Sequence, residues 1–163
     1  AMAELRRLLV VLRASESDED NGLEDNHQPG LDDLDDLIRT FRDATLPVRL
    51  EVRGQSGPLD RSVDLAAYRI VQEALTNVMK HAGPDTPTVV EVDWNRDLLI
   101  LVTNKERGRP HRGVSTLATG HGLLGLRERV SVAGGTLDAG RTADGGFRVM
   151  ASLPLPATVG GRP

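Results

Sequence analysis

The feature that most constrains this chain is a long amphipathic segment over residues 62–82. Apolar residues recur along it at the 3.6-residue period of an α-helix, at Ala67, Ile70, Val71, Ala74, Leu75, Val78 and Ala82. Asp64 is placed to cap its start, and Gly83-Pro84 ends it. A helix with one apolar stripe must bury that stripe, so the rest of the chain has to supply a second layer.

β-Strands supply that layer. Runs rich in apolar and β-branched residues, bounded by turn residues, cover residues 47–54, 88–94, 98–104, 136–139 and 147–153. Two shorter helical patterns cover residues 31–44 and 123–133. Helices and strands that mix along the chain in this way predict an α+β fold, a two-layer sandwich in which helices cover one face of a mixed β-sheet.

Charge divides the chain into regions. Residues 15–30 read as an acidic flexible linker, 31–155 as the folded domain and 156–163 as a tail. From Ser15 to Asp36 there are ten acidic residues and no Lys or Arg. The whole chain has 24 acidic and 20 basic residues, so the rest of the chain has 14 acidic and 20 basic residues and a net charge of +6. A basic body suits an anionic ligand such as a nucleotide, although the acidic run has an alternative interpretation as a solvated linker only.

Composition excludes several classes of protein. The absence of cysteine excludes disulfide scaffolds and thiolate metal sites, and the four histidines lack metal-ligand spacing. The four aromatic residues are too few for a platform that stacks nucleic-acid bases, so no nucleic-acid partner is expected. No apolar run approaches the ~18 residues of a membrane span, which predicts a cytoplasmic location for this segment.

A polar ridge runs along the long helix. Arg69, Glu73, Asn77 and His81 recur every fourth residue, which drifts by only about 40° per step, and Lys80 lies beside them. This set suits a magnesium triphosphate: Asn77 offers an oxygen to the cation, Glu73 accepts a proton or orients a hydroxyl, and the two basic residues meet phosphate. An exposed helix face with ordinary charges is the alternative interpretation.

A glycine motif, GHGLLG at residues 120–125, leads directly into the predicted helix 123–133. Glycines let the backbone approach phosphates closely, and the helix N-terminus adds unpaired N–H groups. The same GxGxxG spacing occurs in dinucleotide-binding Rossmann units. Those units require a strand directly before the motif, whereas a long polar loop, residues 105–121, precedes it here.

Together, the two motifs resemble a known family. AYRIVQEALTNVMKHA at residues 67–82 resembles the N box of bacterial two-component sensor histidine kinases, in the subfamily whose response regulators carry a LuxR-type DNA-binding domain. GHGLLGLRERV at 120–130 resembles the G2 box of that subfamily, and the glycine pairs at 134–135 and 145–146 resemble its closing hairpin. The resemblance covers about residues 31–155.

This resemblance implies the Bergerat ATP-binding fold of the GHKL superfamily, with ATP and Mg²⁺ as cofactors. Asn77 would coordinate the magnesium, and Glu73 would assist the metal or the transferred γ-phosphoryl group. The phosphates and the lid over them would involve Lys80, His81, Gly120, His121, Gly122, Leu123 and Gly125. Phosphoryl transfer of this kind requires positioning and charge compensation more than covalent help.

The chain departs from the family at the adenine contact. Relatives have an Asp-x-Gly-x-Gly motif there, but Asn104 occupies the Asp position and only the last glycine survives, as Gly108. A neutral acceptor in place of a charged one costs roughly 1 kcal/mol, about fivefold in affinity. We therefore expect weak ATP binding. Alternatives are a degenerate domain that acts as a regulatory protein-interaction module and a related anti-sigma-factor kinase.

The resemblance also implies partners beyond this sequence. The phosphoacceptor histidine of the family is missing, because His27 lies in the acidic linker without the helix or the acidic neighbour that the acceptor has. Residues 1–14 carry an apolar stripe and would be the remnant of the second helix of a dimerisation hairpin. The expected partners are the dimerisation domain of the same protein and a response regulator. Membrane attachment would come only through parts of the protein outside this sequence.

Overall fold

The structure is a computed structural model that describes Leu5, Leu9 and residues 28–105 and 121–156. A 3₁₀-helical turn, Leu31–Asp33, leads into the first helix. The helices are α1 (Leu34–Asp43), α2 (Arg61–His81) and α3 (His121–Val132), and the strands are β1 (Val48–Gly54), β2 (Thr88–Trp94), β3 (Asp97–Asn104), β4 (Thr136–Arg141) and β5 (Phe147–Pro154). The strands form one sheet in the order β1-β2-β3-β5-β4.

The sheet is mixed and its helices lie on one face. β1 is parallel to β2, and the other neighbours are antiparallel. Alternate residues of the central strands are buried beneath the helices, namely Val90, Val92, Leu98, Ile100, Val102, Val149, Ala151 and Leu153. The opposite face of β1 and β2 carries ion pairs, including Arg53 with Glu51 and Glu91 at 3.3 Å. The predicted α+β sandwich is confirmed.

The start of α2 differs from the prediction. The helix begins at Arg61 after Asp60, and no side chain caps it. The Asp64 carboxylate, predicted as the cap, accepts a hydrogen bond from the Leu31 backbone N–H at 2.8 Å instead. Asp64 lies one turn inside the helix, where its own backbone N–H already bonds to Asp60 at 2.9 Å. Its carboxylate therefore joins the start of the domain to α2.

Two helices end in the same backbone motif with different residues. At the end of α1, Leu46 N–H bonds to the Phe41 carbonyl at 3.0 Å and Thr45 has a left-handed φ of 72°. At the end of α3, the Gly135 N–H makes the equivalent bond and Gly134 has a φ of 84°. This Schellman arrangement favours glycine at the left-handed position, so Thr45 is held there at a conformational cost.

The remaining elements lie close to their predicted positions. α3 begins two residues before the predicted start, and β4 extends to Arg141. Leu5 and Leu9 are helical, as predicted, and at least half exposed. The predicted loop lies outside the described residues from 106 to 120, as do His27 and the tail beyond residue 156. Gln28 donates a hydrogen bond to the Arg61 carbonyl at 3.1 Å, so the end of the predicted linker contacts the domain.

Candidate functional site

The polar ridge lies on the second half of α2. Glu73 and Asn77 are half-buried, and Lys80 and His81 are exposed at the end of the helix. Arg69, at the other end of the ridge, is only 8% exposed, which is not what an ordinary solvated helix face would show. Its Nη1 donates a hydrogen bond to Gln72 Oε1 at 2.8 Å. The ridge is therefore partly covered by the protein.

The glycine motif meets the polar ridge at Gly122. A Cβ atom added to Gly122 would lie 2.0 Å from Glu73 Oε1 and 2.6 Å from Glu73 Cδ. No real Cβ approaches an oxygen so closely, so only glycine fits against the Glu73 carboxylate without a shift. The two motifs, distant in the sequence, are therefore adjacent in the fold.

α3 is fixed to the body of the domain by its apolar residues. Leu123, Leu126 and Val130 are all buried in the core. Leu123, predicted to contact ATP, thus has its side chain in the core at 8% exposure. Gly125 is exposed, and no described atom would lie within 4 Å of a Cβ added there. These buried residues hold the start of the helix beside Glu73, whereas Gly125 is exposed.

Three residues of the predicted site cannot be placed against the others, because they lie wholly or partly outside the described part of the chain. Gly108 and Gly120 lie outside the described residues. His121 is the first residue of α3, and its side chain is likewise outside the description. Of the predicted site, the structure therefore brings together Glu73 and Gly122, and it places Asn77, Lys80 and His81 farther along the same helix.

Asn104 is the last residue of β3 and is only 5% exposed. It follows Ile100 and Val102 on the helix-facing side of the strand, and its backbone pairs with Thr88 on one side and Phe147 on the other. Gly146 packs so closely that a Cβ there would lie 2.1 Å from the Asn104 carbonyl oxygen.

Asn104 and the end of the polar ridge lie at the same edge of the sheet. Thr88, opposite Asn104, begins the strand that follows α2 after a short connection. That connection is held by Thr86, whose hydroxyl donates to the Gly83 carbonyl at 2.8 Å, and by the Lys105 N–H, which donates to the Pro87 carbonyl at 3.2 Å. The buried amide is thereby placed on the side where α2 ends in Lys80 and His81.

Sequence reasoning missed Gln72 as a member of this region. Gln72 is 8% exposed, and its side chain accepts from Arg69 while its backbone carbonyl accepts from the Thr76 hydroxyl at 2.8 Å. The three-residue spacing from Arg69 was the available signal, since residues three apart are neighbours on a helix. Gln72 and Thr76 extend the polar ridge into the protein.

Two titratable groups near this region have shifted pKa values. Burial raises the pKa of Tyr68, the residue before Arg69, and the nearby Asp33 and Asp36 raise it further against the opposing effect of Arg69. In the turn between β4 and β5, the hydrogen bond from the Thr142 hydroxyl lowers the pKa of Asp144.

Among the described residues, no group of three or more His, Asp or Glu side chains is placed to hold a metal ion.

The family model of the histidine kinase-, DNA gyrase B- and HSP90-like ATPases matches residues 62–157. The chain belongs to this family of ATP-binding domains. The match begins at the start of α2 and includes both halves of the site, Glu73 and Gly122. Within the described residues, no helix combines the length and the apolar character that a membrane crossing requires.

The similar curated proteins are histidine kinases. The chain is 35% identical over 133 residues to the signal transduction histidine-protein kinase/phosphatase UhpB of Salmonella typhimurium, covering 76% of this chain and 25% of that protein. It is 32% identical to the sensor histidine kinase YxjM of Bacillus subtilis, covering 79% and 31%. These matches confirm the predicted resemblance to sensor histidine kinase catalytic domains. The chain spans between a quarter and a third of the length of these two relatives.

Solved histidine kinase structures have the same fold. The histidine kinase domain of a blue-light-activated kinase from Erythrobacter litoralis matches with a TM-score of 0.56 at 20% identity, covering 95% of this chain and 80% of that one. The cytoplasmic segment of the histidine kinase QseC matches with a TM-score of 0.53 at 22% identity, covering 94% and 95%.

Proposed function

We propose that this chain is the ATP-binding catalytic domain of a sensor histidine kinase, which supplies the γ-phosphoryl group of Mg-ATP to a histidine on the dimerisation domain of the same protein. A response regulator would then receive the phosphoryl group. The observation that carries the proposal is the contact between Gly122 and the Glu73 carboxylate. It joins a glycine-rich helix start to a helix face with acid, amide and basic groups.

The phosphates would lie between these two elements. The backbone N–H groups at the start of α3 and the glycines of GHGLLG suit an anion, because a helix N-terminus carries unpaired donors and a favourable dipole. Lys80 and His81 are exposed at the end of α2, where their side chains are accessible to a ligand. Together they would compensate the charge of a triphosphate, which is the main requirement of phosphoryl transfer.

Asn77 would contribute a ligand to Mg²⁺, and Glu73 would accept a proton from, or orient, the attacking group. Both are half-buried on α2, one helical turn apart. A carboxylate held by its surroundings can act as a general base when its geometry is fixed. Gly122 supports that role because it leaves room for the Glu73 carboxylate to lie directly against α3.

A regulatory protein-interaction module that binds little or no ATP is the second candidate. One observation favours it: Asn104 replaces the aspartate that family members present to adenine. A neutral amide lacks the charge-assisted part of that hydrogen bond. The two candidates predict different responses to nucleotide.

Thermal unfolding with Mg-ATP, Mg-ADP or neither separates the two candidates. We expect magnesium-dependent stabilisation of the wild type, its loss in Asn77→Ala, and its retention in Asn95→Ala. Asn95 is a matched control because it is exposed in the turn between β2 and β3, away from the site. Absence of magnesium-dependent stabilisation in the wild type would favour the interaction module.

Affinity and transfer are measured separately. Calorimetric titration should give a dissociation constant on the order of tens of micromolar or weaker, since a neutral acceptor costs roughly fivefold in affinity. Nanomolar binding would contradict this expectation. Radiolabelled ATP should label no residue of this chain alone, and it should label an added dimerisation domain in trans. Loss of that labelling in Glu73→Gln with ATP binding intact would assign Glu73 to the transfer step.

A further inference from the structure

Strand β1 leaves one edge of the sheet open. It is the first strand in the order β1-β2-β3-β5-β4, so β2 pairs with only one of its two sides. Among residues 28–105 and 121–156, no strand lies on its other side. An open edge presents backbone N–H and C=O groups that can pair with another extended chain. The outer side of β1 is therefore a surface to which a further strand can be added.

The hydrogen bonds at the start of β1 show which residues face outward. The Thr88 N–H donates to the Pro47 carbonyl at 3.0 Å, so this carbonyl points toward β2. The next carbonyl, that of Val48, points to the other side, where Arg42 Nε donates to it at 2.8 Å. Backbone groups alternate between the two sides along a strand, so Leu50 and every second residue after it present theirs to the open edge. Because Arg42 occupies the edge at Val48, a further strand would pair from Leu50 onward.

Val52 is an apolar side chain at this edge that the fold leaves uncovered. It lies on the helix-facing side of the sheet, in register with the buried Val92, yet it is 55% exposed. Val48, on the same side of the same strand, is only 5% exposed. The layer of helices therefore covers the start of β1 but not Val52, which leaves room there for a neighbouring chain. A strand added outside β1 would bring a side chain against Val52 and cover it.

The charges on the opposite face of β1 alternate in sign. Arg49, Glu51 and Arg53 share that face, and Glu51 pairs with Arg49 at 3.0 Å and with Arg53 at 3.3 Å. Like charges at an open edge, especially lysines, prevent strands from pairing with their own copies. The alternating signs permit such pairing in selected registers. An antiparallel copy centred on Val52 places Glu51 beside Arg53 of the second copy, whereas a register centred on Glu51 places like charges together.

A register centred on Leu50 also matches opposite charges, because it places Arg49 beside Glu51 of the second copy. It would, however, bring Val52 of the second copy to Val48, where the Arg42 side chain already occupies the edge. The register centred on Val52 avoids this position and places the exposed valine at the centre of the contact.

We infer that β1 pairs with β1 of a second copy of this chain, antiparallel and centred on Val52. The pairing joins the two five-stranded sheets into one. Val52 contacts its own counterpart, Leu50 lies opposite Gly54, and two ion pairs form between Glu51 of one copy and Arg53 of the other. The same surface serves on both chains, as a two-fold symmetric interface requires.

This pairing leaves the proposed nucleotide site open. β1 and β4 lie at opposite ends of the sheet, and α3, which carries Gly122, contacts β4. The inference concerns assembly and does not depend on nucleotide binding. Self-association and nucleotide binding are therefore separate measurements, and either can fail without the other.

Sedimentation equilibrium of the whole chain tests the pairing. We expect a reversible monomer–dimer equilibrium with a dissociation constant between about 10 μM and 1 mM, because one pair of short strands buries less than the roughly 1,600 Å² of a standard interface. Arg53→Glu and Glu51→Arg should each weaken dimerisation by about tenfold, since each places like charges together at two symmetric positions. The double variant should restore dimerisation, because both ion pairs form again with their signs exchanged. Val52→Lys should abolish it by placing two lysines together at the centre.

Arg49→Glu is the matched control. Arg49 is the same residue type on the same face and also pairs with Glu51 of its own chain, but it lies outside the paired segment. Its reversal should change the dissociation constant by less than about twofold. All of these side chains are at least partly exposed, and thermal unfolding of each variant confirms that it folds.

A wild-type chain that stays monomeric at about 1 mM would overturn the inference, and this comparison needs no variant. Dimerisation that Arg53→Glu and Val52→Lys leave unchanged would overturn it as well, as would be seen if the apolar stripe of residues 1–14 held the copies together. Weakening by Arg49→Glu but not by Arg53→Glu would contradict the register centred on Val52.

Discussion

The contact between Gly122 and Glu73 predicts a strong energetic coupling between these residues. Replacing Gly122 with alanine places a Cβ 2.0 Å from Glu73 Oε1, whereas ordinary van der Waals contact begins at 3.4 Å. The Glu73 carboxylate must therefore move by roughly 1.4 Å. That movement takes the side chain away from a favoured rotamer at about 0.5–1.5 kcal/mol and disturbs the polar interaction that Glu73 makes, worth about 1 kcal/mol.

The same substitution has a favourable effect on the helix. Alanine is preferred to glycine within a helix by up to about 1 kcal/mol. Gly122→Ala should therefore destabilise the wild type by about 1 kcal/mol after this gain is subtracted. In a Glu73→Ala background, where no carboxylate obstructs the new Cβ, it should stabilise by up to about 1 kcal/mol. The sign of the effect reverses, and the coupling energy is about 2 kcal/mol.

Urea unfolding of the four proteins in this cycle measures the coupling. Gly125→Ala is the matched control, because its Cβ meets no described atom within 4 Å and it lies in the same helix. It should stabilise the protein by about 1 kcal/mol with or without Glu73. The reasoning fails if Gly122→Ala stabilises the wild type as much as Gly125→Ala does.

Three further predictions concern stability. Thr45→Gly should stabilise the protein by about 1 kcal/mol in urea unfolding, because it removes a left-handed β-branched residue, and Gly134→Thr should destabilise it by a similar amount in the same motif. The pKa of Tyr68 in the folded protein lies above 10.0, its ordinary value. The stabilising contribution of the neutral phenol is therefore present below pH 10 and is lost as pH rises through the raised pKa. Tyr68→Phe should flatten the fall in melting temperature at alkaline pH. The pKa of Asp144 in the folded protein lies below its ordinary value of 3.8. Its contribution to stability is therefore present above pH 3.8 and is lost as pH falls through the lowered pKa. Thr142→Val should make the loss of stability less steep below about pH 4, and an unchanged dependence of stability on pH would contradict this prediction.

The elements of the fold were accessible from local patterns. The alternation of Val90 and Val92 and the helical period through Ile70 and Ala74 reflect how each element buries one face, which is a property of a few consecutive residues. The capping role of Asp64 was predicted wrongly because its carboxylate bonds to Leu31 N–H, a partner distant in the sequence. Local spacing does not distinguish an N-cap from a residue that receives a tertiary hydrogen bond.

The sequence by itself determined the α+β class, the order of the elements and the residues of both motifs, because periodicity and glycine spacing are properties of consecutive residues. The tertiary structure alone decided that Gly122 lies against the Glu73 carboxylate and that Arg69 and Asn104 are buried. The first is a contact between residues far apart in the sequence, and the burials depend on what the rest of the fold places over each residue. They depend on how helices pack on the sheet, and no local pattern encodes that packing.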